Sequence, residues 1–466
     1  MAITLLIKNP AKVGKPCTIH YWDIGDYLDR NEKLQIIAEA EGFQDIQWQI
    51  IVPNEKHDWI DQRDGEFDKM LPIGDKSGNK SETIFVTYSL GVASGRDVWC
   101  YNFSRKRLGQ NMGRMIDFYN KQVDTYKERK EWDKEIAVDD FVVNDPVKIS
   151  WDRGLKKELE KLRKCRFEKS SIMSATYRPF CKTHIYFNRQ FNGMVYQMPK
   201  IFPEPGMENL VVSIMTLGEQ KEFSTVVTNV IPDLHYMGTT QCFPLYTYEK
   251  ADSETLIDIK GERFGNYIRR ENISDQMLQK FREHYSDKKI TKEDIFYYVY
   301  GILHSHSYRE RFAADLKKQL PRIPMVDDFK AFSQAGRKLA ELHLNYETGK
   351  MYSLKEVATG SVSFKVNQMG YPSKSDKSKI IYNGTLTLDG IPDEAYRYIV
   401  NGKSALDWIV ERYAVTTHKD SGIKNDPNDW CEEIGDERYI VDLIKRIVHL
   451  SVESVKIIDA LPELTF

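Results

Sequence analysis

The sequence predicts a multi-domain chain of mixed α/β and α+β class. Three observations carry that expectation. At 466 residues the chain exceeds what one ordinary core organises, so roughly two to four domains are expected. The opening sixty residues alternate short apolar strands with a helix, the rhythm of an α/β sheet. Farther on, strand patterns dominate until residue 274, and 274–347 is almost all helical, a segregated α+β arrangement.

The elements follow in order. Residues 3–7 form an apolar strand, a Pro/Gly turn runs from Asn9 to Pro16, and 17–22 return as a second strand, so the pair reads as a hairpin. Asp29 is an N-cap and Glu32 completes a capping box for a helix over 30–41, which Gly42 ends. Residues 45–52 are again a strand. Opening on a buried-type strand suggests that the chain starts inside a domain. Residues 84–92 are the clearest strand of the next stretch, followed by charged helices over 108–135 and 154–168. Strands are expected at 183–187, 209–215 and 223–231. Ser274 caps the helical stretch, which is expected to act as a brace. The last hundred residues mix strands within 361–366 and 379–390 with helices over 393–401, 404–413 and 437–459. Composition marks a globular protein, 41% hydrophobic and 29% charged, without internal repeats.

Several function classes are excluded early. No apolar run approaches the roughly 18 residues that span a bilayer, and the N-terminus lacks a signal-peptide pattern, so a cytoplasmic location is expected. The six cysteines are scattered without CxxC or Cys/His pairs, which argues against a disulfide framework or a zinc site. Net charge is only −2, yet its distribution is uneven. Residues 96–200 hold 23 Lys and Arg against 14 Asp and Glu, a local +9, which leaves −11 elsewhere. A basic block in an acidic chain suits a phosphate-binding surface, although a solvated helical face has the same composition.

Three stretches carry candidate binding residues. In Gly91–Arg107, Gly95 permits a tight turn that would project Arg96 from a strand end, and Arg105, Lys106 and Arg107 add adjacent charges. In Tyr177–Arg189, aromatics interleave with Arg178, Lys182, His184, Asn188 and Arg189, a mixture suited to phosphates and base edges. Either stretch could instead be a surface turn or a hairpin with core aromatics. Thr228–His235 contains Asn229 and also Pro232-Asp233, which with Asp258-Ile259-Lys260 imitates the loose PD…DxK pattern of metal-dependent nucleases. His304 and His306 lie two apart, on different helix faces, and are expected to pack or cap rather than share a metal.

These stretches, with ITLLIKNP near the start and YGILHSHSYRERFAADLKKQLPRIP running on to LAELHLNYE at 339–347, resemble the C-terminal part of Type ISP restriction–modification enzymes and related adenine-specific DNA methyltransferases. The resemblance implies that residues 1–90 end a Rossmann-like methyltransferase domain. It also implies that 91–270 form a target recognition domain, 271–350 a helical region and 351–466 a C-terminal α+β region. It implies double-stranded DNA as partner, with Arg96, Arg105, Lys106, Arg107, Arg178, Lys182, Asn188, Arg189 and Asn229 as contact residues. The glycine loop and Asn-Pro-Pro-Tyr type motif of such methyltransferases are absent, so no catalytic residue is expected here. S-adenosylmethionine, ATP and Mg²⁺ are implied for methyltransferase, helicase-like and nuclease parts acting in cis or in trans. A free-standing specificity subunit, or a metal-dependent nuclease at Asp233, Asp258 and Lys260, remain alternatives.

Overall fold

The computed structural model describes the chain except residues 1–3, 9, 11–13, 15–16, 26–27, 76–81, 219–220, 252–260 and 466. It divides into two compact units, Met1–Gly65 and Glu66–Phe466.

In the first unit, Asp29 caps the helix Arg30–Glu39. Its carboxylate accepts from the Asn31 and Glu32 amides at 2.7 and 3.0 Å, and Glu32 accepts in return from the Asp29 amide at 2.7 Å. The expected hairpin between 3–7 and 17–22 is corrected. Residues 4–8 carry no strand, and Leu5, Leu6 and Ile7 are exposed. The strand Ile19–Tyr21 pairs antiparallel with Gln49–Ile51 instead. An apolar run becomes a strand only where a neighbour satisfies its backbone, and here Gln49–Ile51 is that neighbour. Ile3 and most of the Asn9–Pro16 turn lie outside the described residues.

The second unit is built around two four-stranded sheets. In the first, Ile172–Arg178 pairs antiparallel with Cys181–Tyr186, with Tyr101–Asn102 beyond it, and in parallel with Ile231–Pro232. The 28-residue helix Arg105–Trp132 packs along this sheet, burying Leu108, Met112, Met115, Tyr119 and Val123 at helical spacing. The second sheet runs Ser89–Leu90, Thr240–Pro244, Val211–Met215, Thr225–Thr228. Its apolar side joins a larger core that extends through the helices to the C-terminal helix Tyr439–Asp459.

The helical stretch bears out its Ser274 cap, which accepts from the Met277 amide at 3.1 Å. Its helices Lys292–His304 and Phe329–Leu344 touch at glycine: a Cβ on Gly301 would strike the Phe332 carbonyl, and one on Gly336 the Tyr297 carbonyl. Polar groups of this core are paired inside it. Tyr300 Oη lies 2.6 Å from His343 Nδ1, and His343 Nε2 lies 2.9 Å from Ser454 Oγ. His304 is buried with its Nδ1 at 2.9 Å from the Tyr300 carbonyl, whereas His306 is exposed, so the pair does point apart.

Other expected elements are shorter than the sequence suggests. The helix drawn over 154–168 stops at Glu160, where Leu162 turns left-handed (φ 56°) and the chain continues extended. The run 393–401 is one turn of 3-10 helix, Asp393–Tyr396, followed by a strand Ile399–Val400 paired with Lys403–Ser404. Residues 361–366 form no strand; the C-terminal sheet is Lys355–Ala358, Leu386–Asp389 and Lys379–Ile381. The strand expected over 84–92 is reduced to Ser89–Leu90 with isolated bridges on either side. In each case hydrogen bonds from elsewhere in the chain claim the backbone that local pattern had assigned.

Candidate nucleic-acid interface

Three of the sequence stretches meet in one place. Ile231–Pro232 runs beside Ala175–Thr176, and Asp233 is bridged to Val92. Gly91 is required there, because a Cβ would strike the Asp233 carbonyl. Arg178 Nη1 donates to Asp233 Oδ1 at 2.8 Å, and Tyr101 Oη donates to Asp233 Oδ2 at 3.0 Å. Tyr177 Oη donates to Asp97 at 3.1 Å, Ser94 also hydrogen-bonds Asp97, and the Arg178 guanidinium lies 4.0 Å over the Tyr177 ring. Asp233 is buried, and burial together with the nearby Asp97 charge pushes its carboxyl up to about 6, with Arg178 opposing that shift. Burial likewise raises the Tyr101 and Tyr177 phenols, so both remain protonated donors.

Arg96 does not project from the turn at Gly95. Its side chain is 0% exposed and lies 2.7 Å from Asp152. Its Nε donates to the Ser150 carbonyl at 3.0 Å and its Nη1 to the Phe191 carbonyl. Gly95 is left-handed as expected (φ 67°), but the turn directs the arginine inward. A buried guanidinium persists only when paired and hydrogen-bonded, and Arg96 ties three loops together by that requirement.

Arg105, Lys106 and Arg107 open the long helix, and all three are exposed. Ser104 caps the Arg107 amide at 2.9 Å. The remaining N-terminal amides find a distant partner. Glu433 accepts from the Arg105 and Lys106 amides at 3.0 and 3.2 Å and from the Ser104 hydroxyl. Asp429 takes the Arg107 guanidinium at 3.0 Å and raises its pKa. Asn102 Nδ2 donates to the Lys424 carbonyl at 3.0 Å, the Phe103 amide donates to Asn425 at 2.9 Å, and His184 packs on Trp430. Residues 424–433 thus fix 102–107, leaving the Arg105 and Lys106 side chains outward.

The other expected residues divide in the same manner. Lys182 pairs with Glu347 at 2.7 Å and lies over Tyr346, so it joins the sheet to the helical region. Asn188 is half-buried, its Oδ1 accepting from the Gln190 amide at 2.9 Å in a turn. Arg189 and Asn229 are exposed. Arg105, Lys106, Arg189 and Asn229 therefore present side chains to solvent, while Arg96, Arg178 and Lys182 are engaged inside the fold. Of the acids that hold these stretches in place, Asp97, Asp152, Glu347 and Glu433 were not among the expected site residues, and Asp233 was expected only as part of the nuclease alternative. Asp97 and Glu347 stand inside the quoted motifs, which was their one available signal. Asp152 and Glu433 have no local signature. Asp258 and Lys260 lie outside the described residues, and Asp233 is occupied by Arg178 and Tyr101. Among the described residues no group of three His, Cys, Asp or Glu is placed to hold a metal, and no helix is long and apolar enough to cross a membrane.

No curated protein matches the chain significantly. Solved structures do. A nuclease-deletion mutant of the Type ISP restriction–modification enzyme LlaGI, in complex with a DNA substrate mimic, is 36% identical with a TM-score of 0.82. The match covers 96% of this chain and 39% of that one. The ATP-dependent Type ISP enzyme LlaBIII bound to DNA is 33% identical with a TM-score of 0.82, covering 96% of this chain and 28% of that one. The DrdV–DNA complex is 30% identical with a TM-score of 0.78, covering 96% and 44%. The chain thus spans less than half the length of these proteins. The family model described as the Type ISP C-terminal specificity domain matches residues 83–443, and the chain belongs to that family.

Proposed function

We propose that this chain recognises a sequence in double-stranded DNA. In this reading it directs N6-adenine methylation, and cleavage, by catalytic parts of a restriction–modification enzyme that lie outside it. The observation that carries the reading is the match over 96% of the chain to three enzymes solved with DNA, each at 30% identity or more. Arg105, Lys106, Arg189 and Asn229 are the residues assigned to DNA. Arg96, Arg107, Arg178 and Lys182 hold the elements that present them, with Asn188 shaping the Arg189 turn. Residues 1–90 would end a methyltransferase-like domain, whose neighbouring sheet would cover Leu5, Leu6 and Ile7. The helical region 271–350 would brace the recognition region 91–270, with 351–466 as C-terminal support. S-adenosylmethionine, ATP and Mg²⁺ would serve the catalytic parts, in the cytoplasm.

The experiment is selection of bound duplexes from a random pool at several salt concentrations. Enrichment of one asymmetric motif, with affinity falling steeply as salt rises, is the expected result. Binding without enrichment would reduce the chain to a DNA clamp, and no binding at low salt would overturn the reading.

A further inference from the structure

Beyond the residues assigned above, residues 161–169, KLRKCRFEK, form a basic segment that the fold builds with care. The helix before it ends at Glu160, and the chain then runs extended with alternating exposure: Cys165 and Phe167 turn inward, Lys164 and Arg166 outward. Its backbone is held along its length. The Arg163 carbonyl accepts from Tyr119 Oη at 2.8 Å and from Gln190 Nε2 at 3.1 Å. Asn120 clasps Cys165 on both sides, donating to its carbonyl at 2.8 Å and accepting from its amide at 3.0 Å. Phe167 stacks on Tyr186 at 5.6 Å, and Tyr186 Oη accepts from the Glu168 amide at 3.2 Å. Such anchoring is unusual for a solvated charge run, whose backbone has no need of it.

The outward groups are Arg163, Lys164, Arg166 and Lys169, with Arg189 on the adjoining turn through Gln190. Glu158 takes Lys161 and Arg163 at 3.0 Å each, and Asp124 takes Lys164 at 2.6 Å; Glu168 is exposed beside them. Those exposed pairs are worth little and exchange readily for a stronger anion. Three acids against six cations leave an excess of three positive charges. No amide or aromatic side chain is exposed between 161 and 169, so the segment offers cations without the groups that favour base edges. Gly109, in the first turns of the long helix, faces Phe167 and Ile172, which places this surface beside the start of the helix that bears Arg105 and Lys106.

We infer that residues 161–169 are a preformed, sequence-independent grip on the phosphate backbone of the DNA duplex. This inference rests on the DNA-recognition reading above and divides its labour: the clamped segment supplies affinity, and other residues supply sequence. Pre-anchoring means that little backbone entropy is lost on binding.

The test replaces Arg163, Lys164, Arg166 and Lys169 together by glutamine and measures binding to a duplex with the selected motif and to a scrambled one. The expected result is an equal loss on both, with the slope of log affinity against log salt smaller by about 2 to 4. A companion Arg163→Lys/Arg166→Lys chain keeps the charges and is expected to keep the slope. Unchanged thermal melting of both variants separates the effect from misfolding. An unchanged slope in the glutamine chain, a loss confined to the motif duplex, or a lysine chain as weak as the glutamine chain would overturn the grip while leaving recognition standing. Failure of the unaltered chain to bind either duplex would overturn both.

Discussion

Arg178 and Asp233, 55 residues apart in sequence, form a 2.8 Å ion pair in which the aspartate is buried and the arginine is 14% exposed. The pair closes the junction where the parallel strands Ile172–Arg178 and Ile231–Pro232 end side by side. Tyr101 holds the second carboxylate oxygen, so the junction is a network rather than a lone bridge.

The first prediction concerns pH. Asp233 has a folded pKa raised from 3.8 to about 6 by burial and by Asp97. Between those values the folded chain holds a proton that the unfolded chain has released. The contribution of this group is therefore most favourable below pH 4 and is lost as pH rises through 6, on the order of 3 kcal/mol in all. Asp233→Asn should remove that dependence. Thermal melting of both chains from pH 4 to 7 checks this: the stability of the original relative to the variant should fall across the interval. A flat difference would refute it.

Buried and exposed arginines should behave oppositely. Arg96→Ala leaves Asp152 without its partner and three loops untied, at a cost of about 3–5 kcal/mol. Arg105→Ala and Arg189→Ala should change stability by less than about 0.5 kcal/mol. On DNA each should reduce the salt slope by roughly 1. Urea unfolding and binding titrations on the same preparations separate the two effects; stability loss at Arg105 with binding intact would reverse the assignment.

Glu433→Ala strips the acceptor from the Arg105 and Lys106 amides. Loss of a cap of this kind costs about 1–2 kcal/mol. It should also weaken DNA binding although the residue is far from 105 in sequence, because the helix start is no longer held. Glu433→Gln keeps an oxygen acceptor and should recover most of the stability. Equal losses in both variants would mean that charge, not acceptance, holds the helix end.

Two glycines in helices make a matched test. Gly336→Ala drives a methyl group into the Tyr297 carbonyl, where backbone must shift, and should destabilise by at least about 1–3 kcal/mol. Gly113→Ala, in the long helix with open space around its Cβ position, should stabilise by about 0.5–1 kcal/mol. Opposite signs in urea unfolding are the expected outcome.

Local chemistry was legible where a few adjacent residues decide it. Asp29 with Glu32, and Ser274 before its helix, named their caps because a side chain three residues from an amide needs no distant partner. The polar, charge-dense run over 108–135 marked the long helix, and the basic block was countable before any fold was known. The motifs also led to the family, which the comparisons bear out. Sequence alone did not tell a projecting arginine from a buried one. Arg96 and Arg105 lie nine residues apart in one basic stretch. Asp152 draws the first inward, while Glu433 holds the backbone of the second and leaves its side chain outside. The same limit ended the helix at Glu160, because Tyr119 and Asn120 claimed the following backbone. Caps and periodicity are short-range and survive in the sequence. The fate of a charge depends on which desolvated partner folding brings within 3 Å, and only the tertiary structure decides that.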